Sequence, residues 1–441
     1  MKLLFNRFLK ELGGAIKGAG YYPDDHPARK KSLNSMYDIL RDYLYDNGSI
    51  SLAIIEDTLT VEDTPFFETS ANEIEILNNL ASKGIGEILI KDGLLPEELN
   101  KLVGFLGMSA EEFENTTIED FIIDNGIINI DVIPVDKDLK KRSKKVYSKA
   151  KKYIVDTMND ARLGKVPQIN KANAIINSVR DILKKDESAI MGLTLLSDYD
   201  NYTFNHSVNV GILSLSLAEK SGFGKDAEQI GLAGMLHDIG KTKTPLELIN
   251  KPGKLTVDEW EIMQRHPVDG AEIVQKMDKR PDVTLMVLQH HVRFDLTGYP
   301  KKQKKLIEGS HIVTIADTYD SLTTLRPYQK RYDPKEALDL MSYKLKGTAL
   351  HPKYFEKFID MLGFYPIGSC VRLKTGEVAV VKSINRDDQL KPQVWIIIDK
   401  NGNKLDAPII VDLASERQYK EREIILLVDP LVLGVGITEY L

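Results

Sequence analysis

Residues 230–241 read IGLAGMLHDIGK. A run of apolar and small residues leads straight into His237 and Asp238, a pattern that predicts a stretch buried in a helical core. A carboxylate there is costly unless it is paired, hydrogen-bonded or bound to a metal. Lys241 follows three residues after Asp238 and on a helical turn projects to the same side, which suits a cation that holds an anionic oxygen. From 190 to about 363 the pattern stays helical: apolar residues recur at three and four, and no run of strands intervenes.

Six of the eight histidines fall in this region: His206, His237, His266, His290, His291 and His311. Asp317 stands among apolar residues in HIVTIADTYD, as Asp238 does in its own stretch. Any one of these alone reads as an ordinary core or surface residue, as His26 and His351 do. Several imidazoles and two buried-looking carboxylates in one helical domain read differently, because a bundle can gather side chains from several helices into one interior site. The candidate ligands are His206, His237, Asp238, His266, His290, His291 and Asp317. The set holds no thiolate, which excludes cysteine-type zinc and iron–sulfur sites. Imidazole with carboxylate suits iron, manganese, zinc or nickel. One ion cannot use seven side chains. Two octahedral ions need about twelve positions, and these residues fill most of them if Asp238 bridges, which leaves roughly four for water and substrate. The arithmetic points to a two-metal hydrolytic site.

Around this domain the chain changes character. Residues 1–135 mix helical stretches, such as 27–48, with alternating ones, such as INIDVIPV at 128–135, and predict an α/β or α+β module of sensory or regulatory type. Residues 136–189 are rich in Lys and Arg and read as a solvated basic helical linker. Residues 364–441 alternate and carry turn dipeptides such as Asn-Gly at 401–402, which predicts a small β-rich appendage. The fold class is thus multi-domain, with the all-α domain at 190–363 between the other two. A net charge of −6 argues against binding a nucleic-acid polymer. The single cysteine, Cys370, forbids an internal disulfide and suits a reducing compartment. No stretch has the length of a membrane span, and MKLLFNRFLKELGG reads as an amphipathic helix and not a signal peptide, so a cytoplasmic location is expected. The helical linker and the N-terminal module are the candidate seams for a homodimer.

The ordered series HDIGKTKTPLELINKPGKLT, HP, HH with GYP, AD.YD and RPY resembles the HD-GYP family, bacterial phosphodiesterases of the HD superfamily that open cyclic di-GMP. The resemblance covers about 190–370. It implies an HD-type helical catalytic domain holding iron or manganese, with the seven residues above as ligands and Asp238 bridging. It places Lys241 at the scissile phosphate, makes Gly298, Tyr299 and Pro300 the loop that shapes the nucleotide pocket, and puts Asp320 and Arg326 at the guanine base and phosphate. Members with three metals carry a Glu where this chain has Tyr202, so two ions are expected. Val292 and Leu296 stand where Glu and Gly are usual, His311 where Arg is common, and Gln329 where a basic residue often follows RPY. The expected activity is hydrolysis of cyclic di-GMP to pGpG, with further cutting to GMP. The alternatives are a cyclic-dinucleotide-binding effector of weak turnover, and an HD phosphohydrolase for another substrate such as cyclic GMP-AMP. The opening region, around YYPDDHPARKK and GLLPEELNKLVGFLG, is similar to a module found ahead of HD-GYP domains and lacks the phospho-acceptor pattern of a receiver domain.

Overall fold

The structure is a computed structural model. It describes every residue except 1, 24–25, 56–57, 63, 67–69, 110–116, 135–138, 196–201, 252, 302, 325–331, 416–421, 429–432 and 434–441. Arg326 and Gln329 therefore lie outside the described residues. The chain divides into two compact units, Met1–Asp138 and Leu139–Leu441.

The first unit is α+β. Helices α1 (Lys2–Tyr21) and α2 (Pro27–Asn47) lead into a five-stranded sheet of order β3-β2-β1-β4-β5. The strands are β1 (Ser49–Ile55), β2 (Thr58–Val61), β3 (Thr64–Phe66), β4 (Ile85–Lys91) and β5 (Ile130–Pro134). Every pairing is antiparallel. This resolves the α/β or α+β choice, since parallel strands would need helical crossovers between neighbours. Helices α3 (Ala71–Ser82), α4 (Pro96–Gly107) and α5 (Ile118–Asp124) complete the unit. Capping boxes open α3 at Ser70 and Glu73 and α5 at Thr117 and Asp120, and Pro96 starts α4. Glu98 in α4 is buried but satisfied: it accepts from the backbone of Leu95, Ile128 and Asn129 and so ties the helix to the start of β5. One core joins Phe5, Phe8, Leu40, Leu59, Ile88 and Phe105.

The second unit opens with α6 (Leu139–Arg162) and α7 (Ile169–Lys185). The segment expected as a solvated linker is part of the helical packing. Val146, Ala150, Ile154 and Met158 recur at helical spacing and are buried, while Lys144 and Lys152 stay in water. Arg142 meets Asp181 at 2.5 Å, and Arg180 pairs with Glu219 and Glu228. The lysine-rich composition concealed this stripe, because it is interleaved with the charges.

Helix α8 (Tyr202–Ser221) is the central element, and α6, α7, α9 (Ala227–Leu236), α13 (Glu308–Thr323) and α15 (Pro352–Leu362) pack around it. Between α9 and α15 the chain adds α10 (Val257–Met263), α11 (His266–Met277), α12 (Pro281–Gln289), α13 and α14 (Pro334–Leu340). Helices α8 and α9 approach closely: a Cβ at Gly234 would come within 2.8 Å of the Val210 carbonyl. That closeness fixes the separation of His206 on α8 from His237 at the end of α9.

The C-terminal part is a second antiparallel sheet of order β10-β6-β7-β8-β9, built from β6 (Cys370–Leu373), β7 (Val378–Ser383), β8 (Gln393–Ile398), β9 (Lys404–Asp412) and β10 (Ile424–Leu427). Asn401-Gly402 lies in the β8–β9 turn, with Gly402 at φ 87°. Val371, Val381, Ile396 and Val411 form its core with Tyr365.

Candidate metal centre

His237 follows the last residue of α9, and Asp238 opens a 3-10 turn, Ile239–Lys243. Both are buried, at 0% and 1% exposure. The turn is possible because residue 240 is glycine: a Cβ there would lie 1.9 Å from the His266 carbonyl oxygen and 2.4 Å from the Gly270 nitrogen. The HDIGK turn therefore rests directly on the first turn of α11, where His266 sits. His290 and His291 follow α12, and Asp317 projects from α13.

These elements bring all seven candidate ligands together. His237 donates Nδ1–H to the Gly234 carbonyl at 2.7 Å, His266 to Met263 at 2.8 Å and His290 to Val287 at 2.7 Å. A carbonyl only accepts, so each ring carries its proton on Nδ1 and turns an Nε2 lone pair inward. The Nε2 atoms of His266 and His290 stand 3.2 Å apart. His237 Nε2 and Asp238 Oδ1 are buried without a hydrogen-bond partner. Asp238 Oδ2 lies 3.4 Å from His237 Nε2 and 3.8 Å from His206 Nε2, while Oδ1 lies 3.4 Å from His266 Nε2. Asp317 Oδ1 is 3.2 Å from His206 Nε2, and its Oδ2 is 3.8 Å from His291 Nδ1. Three groups have donor atoms within 4.8 Å of one another: His206, His237 and Asp238; His237, His290 and Asp317; and His266, His290 and His291. Converging lone pairs and an orphaned carboxylate oxygen in a buried pocket call for positive charge. The donor set fits divalent cations that prefer nitrogen and oxygen ligands.

The electrostatics suit a site that binds cations. Burial lowers His266 to about 3 and His291 to about 4, and it depresses His290 well below the usual imidazole range, with neighbouring histidines adding to the effect. All three are neutral and ready to ligate at pH 7. Burial disfavours the charged form of Asp238, but His237 and Lys241 outweigh it and hold the carboxylate well below its ordinary value. Asp317 is likewise depressed against its burial by the hydrogen bond from His206 and by His237 and His291. His206 differs. Burial opposes its charge, yet the hydrogen bonds to Asp317 and Asp320 lift it to about 9.

Asp320 corrects an expectation. It is buried, and both oxygens are engaged: Oδ2 accepts from His206 Nδ1 at 2.7 Å and from Thr324 Oγ1 at 3.0 Å, and Oδ1 accepts from Asn209 Nδ2 at 2.9 Å. It orients the His206 ring and is not among the residues that line the cavity beside the cluster. Asn209 also donates to the Thr194 carbonyl, and Tyr147 Oη donates to Asn209 Oδ1 at 2.8 Å. Asn209 went unnoticed in the sequence, although its spacing of three from His206 puts it on the same helix face.

Lys241 and Tyr299 border a cavity of about 490 Å³, whose lining includes neither Gly298 nor Pro300. His206, Asp238, Lys241, His266, His291 and Asp317 form its polar wall, and Trp260, Met263 and Tyr299 an apolar one. Lys241 Nζ donates to Asp238 Oδ2 at 2.6 Å. Gly298 has φ 91°, and a Cβ there would lie 2.3 Å from the His291 carbonyl oxygen, so glycine lets the loop fold onto that carbonyl. Gly298 is thus a backbone requirement. Tyr299, after it, puts its ring 4.7 Å from His291 and edge-on to Trp260 at 5.9 Å. Burial, with Asp317 and Asp238 nearby, raises the Tyr299 phenol and keeps it neutral. The peptide between Tyr299 and Pro300 is cis. Leu296 takes φ 64°, the left-handed region that glycine enters freely, which explains why glycine suits that position. Val292 is buried, and His311 packs against Phe294, His351 and Tyr354.

Residues 191–347 match the HD domain family, and residues 370–420 match the KOW domain associated with HD domain. A cyclic di-GMP phosphodiesterase of Pseudomonas aeruginosa is 33% identical over 277 residues, 62% of this chain and 66% of that protein. A cyclic di-GMP phosphodiesterase of Thermotoga maritima is 35% identical over 176 residues, 38% of this chain and 47% of that protein. A 3'3'-cGAMP-specific phosphodiesterase of Vibrio cholerae is 32% identical over 174 residues, 39% of this chain and 40% of that protein. The chain thus spans between two fifths and two thirds of the length of these relatives. No helix among the described residues is long and apolar enough to cross a membrane. The helical region that carries the histidine–aspartate cluster, followed by its associated β domain, places the chain in the HD superfamily of metal-dependent phosphohydrolases.

Proposed function

We propose that the protein is a phosphodiesterase that hydrolyses cyclic di-GMP to linear pGpG, with a pair of divalent ions, iron or manganese, as its cofactor. The observation that carries this reading is Asp238. Its two oxygens face opposite ways, one toward His206 and His237 and the other toward His266, in a pocket that opens onto a nucleotide-sized cavity. Asp238 is the natural shared ligand. His206, His237 and Asp317 would hold one ion, and His266, His290 and His291 the other. When bound, such a pair supplies Lewis acidity and lowers the pKa of a water held between the ions.

The chain's own residues do the rest. Asp320 and the three backbone carbonyls aim the imidazoles. Lys241 offers a cation beside Asp238 for a phosphate oxygen. Trp260 and Tyr299 offer aromatic surface to a nucleobase. The net reaction adds water across one phosphodiester: an oxygen–phosphorus bond forms, the bond to the 3′ oxygen breaks, and that oxygen leaves with a proton.

A second substrate reading rests on the Vibrio cholerae relative, whose named substrate is a cyclic GMP-AMP and whose identity of 32% is close to that of the cyclic di-GMP enzymes. Rates on both dinucleotides, with Mn(II)- or Fe(II)-loaded protein, test the proposal. Faster opening of cyclic di-GMP, abolished in Asp238→Ala, is expected. Preference for cyclic GMP-AMP would move the substrate, and binding without turnover would make the protein an effector.

A further inference from the structure

The cavity has a wall that lies outside the HD motifs. Met158 and Arg162, four residues apart on one face of α6, line it together with the metal-centre residues. Helix α6 also packs on the Ile239–Lys243 turn that carries Lys241. Taking the proposed reaction as the starting point, we propose that Arg162 binds the second, uncleaved phosphodiester of the cyclic dinucleotide, so that α6 is part of the substrate site.

The argument is one of charge and place. A cyclic dinucleotide carries a phosphodiester on each side of its ring. The one being cleaved must lie at Asp238 and Lys241, and its twin must lie across the cavity. Apart from the histidines, the cavity's described lining holds two cationic side chains, Lys241 and Arg162. Lys241 is engaged with Asp238 at 2.6 Å. Arg162 makes no hydrogen bond or ion pair with a described side chain. It sits in the last turn of α6, exposed to solvent while lining the cavity, and Gly164 at φ 73° follows the helix end. A guanidinium presents a planar fork that matches two phosphate oxygens. Met158, one turn back, adds an apolar surface suited to the ribose or base beside that phosphate. The competing explanation is that Arg162 only complements the negative end of the α6 dipole.

The test compares native protein, Arg162→Gln and Arg162→Lys on two substrates: cyclic di-GMP, and bis(p-nitrophenyl) phosphate, which has a single phosphodiester. Binding of a cleavage-resistant phosphorothioate cyclic di-GMP is followed by calorimetry alongside. Arg162→Gln is expected to raise KM for cyclic di-GMP and Kd for the phosphorothioate roughly tenfold, with kcat nearly unchanged. Arg162→Lys should recover part of that loss, and turnover of bis(p-nitrophenyl) phosphate should stay at the native level. Unchanged KM and Kd in Arg162→Gln would overturn the inference while leaving the enzyme reading intact. Equal losses on both substrates with a lowered Tm would overturn it in favour of the dipole role. A native protein that cleaves bis(p-nitrophenyl) phosphate but neither binds nor opens a cyclic dinucleotide would contradict the proposed function itself, and the inference with it.

Discussion

The proton on His206 is where the residue-level account can be measured. In the metal-free fold this ring is held at about 9, above its ordinary 6.5, by Asp317 and Asp320 acting against burial. Its contribution to stability is therefore fully present below pH 6.5 and is lost as pH rises through 9. His266 and His291 run the other way. Lowered to about 3 and about 4, they favour the fold above pH 6.5, and that advantage drains away as pH falls toward 4. Metal uptake must displace the His206 proton, while the other rings already offer free nitrogens. Calorimetry at pH 7.5 in buffers of different ionisation enthalpy should report release of about one proton on saturation with Mn(II). Release near zero would contradict the pairing of His206 with two carboxylates. Asp320 gives a second test at this scale. Asp320→Asn should weaken metal affinity by roughly 10- to 100-fold, because it loosens the His206 ring, with KM for substrate little changed at saturating metal. A raised KM with unaltered metal affinity would restore it as a nucleotide contact. Sequence could not separate the roles of Asp317 and Asp320. They lie three residues apart on α13, and only the 2.7 Å contact with His206 Nδ1 tells them apart.

At the scale of elements, the site depends on one turn resting on one helix. Gly240 lies where any side chain would meet the His266 backbone at 1.9 Å, a collision that no rotamer relieves. Gly240→Ala should therefore cost roughly 2–3 kcal/mol in denaturant unfolding and weaken metal binding as His266 is displaced. Unchanged stability would mean that the turn and α11 are less closely seated than described. The helices were legible because their apolar residues repeat at three and four, and the motif histidines could be assigned to the helical domain for the same reason. What sequence could not supply was the tautomer of each ring. His237, His266 and His290 each donate to the carbonyl three residues earlier, and that regularity appears only once the backbone path is known. The stripe on α6 was hidden by its lysines, and so was the approach of Met158 and Arg162 to the cavity.

Across the whole molecule, a helical core carries the chemistry, with a small antiparallel sheet after it in the same compact unit and a separate α+β unit encoded before it. The first unit was readable as mixed but not as wholly antiparallel, because strand pairing depends on contacts distant in sequence: β1 lies between β2 and β4 across an intervening helix. The acidic chain with one buried cysteine reads the same in sequence and structure. The seven candidate ligands span more than a hundred positions of that sequence, and the fold gathers them into overlapping clusters of donor atoms. The most direct measurement of this claim is the metal content of anaerobically purified protein taken together with its rate on cyclic di-GMP. The account predicts about two iron or manganese ions per chain, and a rate that falls with chelation and returns on reconstitution. A metal-replete protein that left cyclic di-GMP intact, or a folded protein that retained no metal, would contradict it.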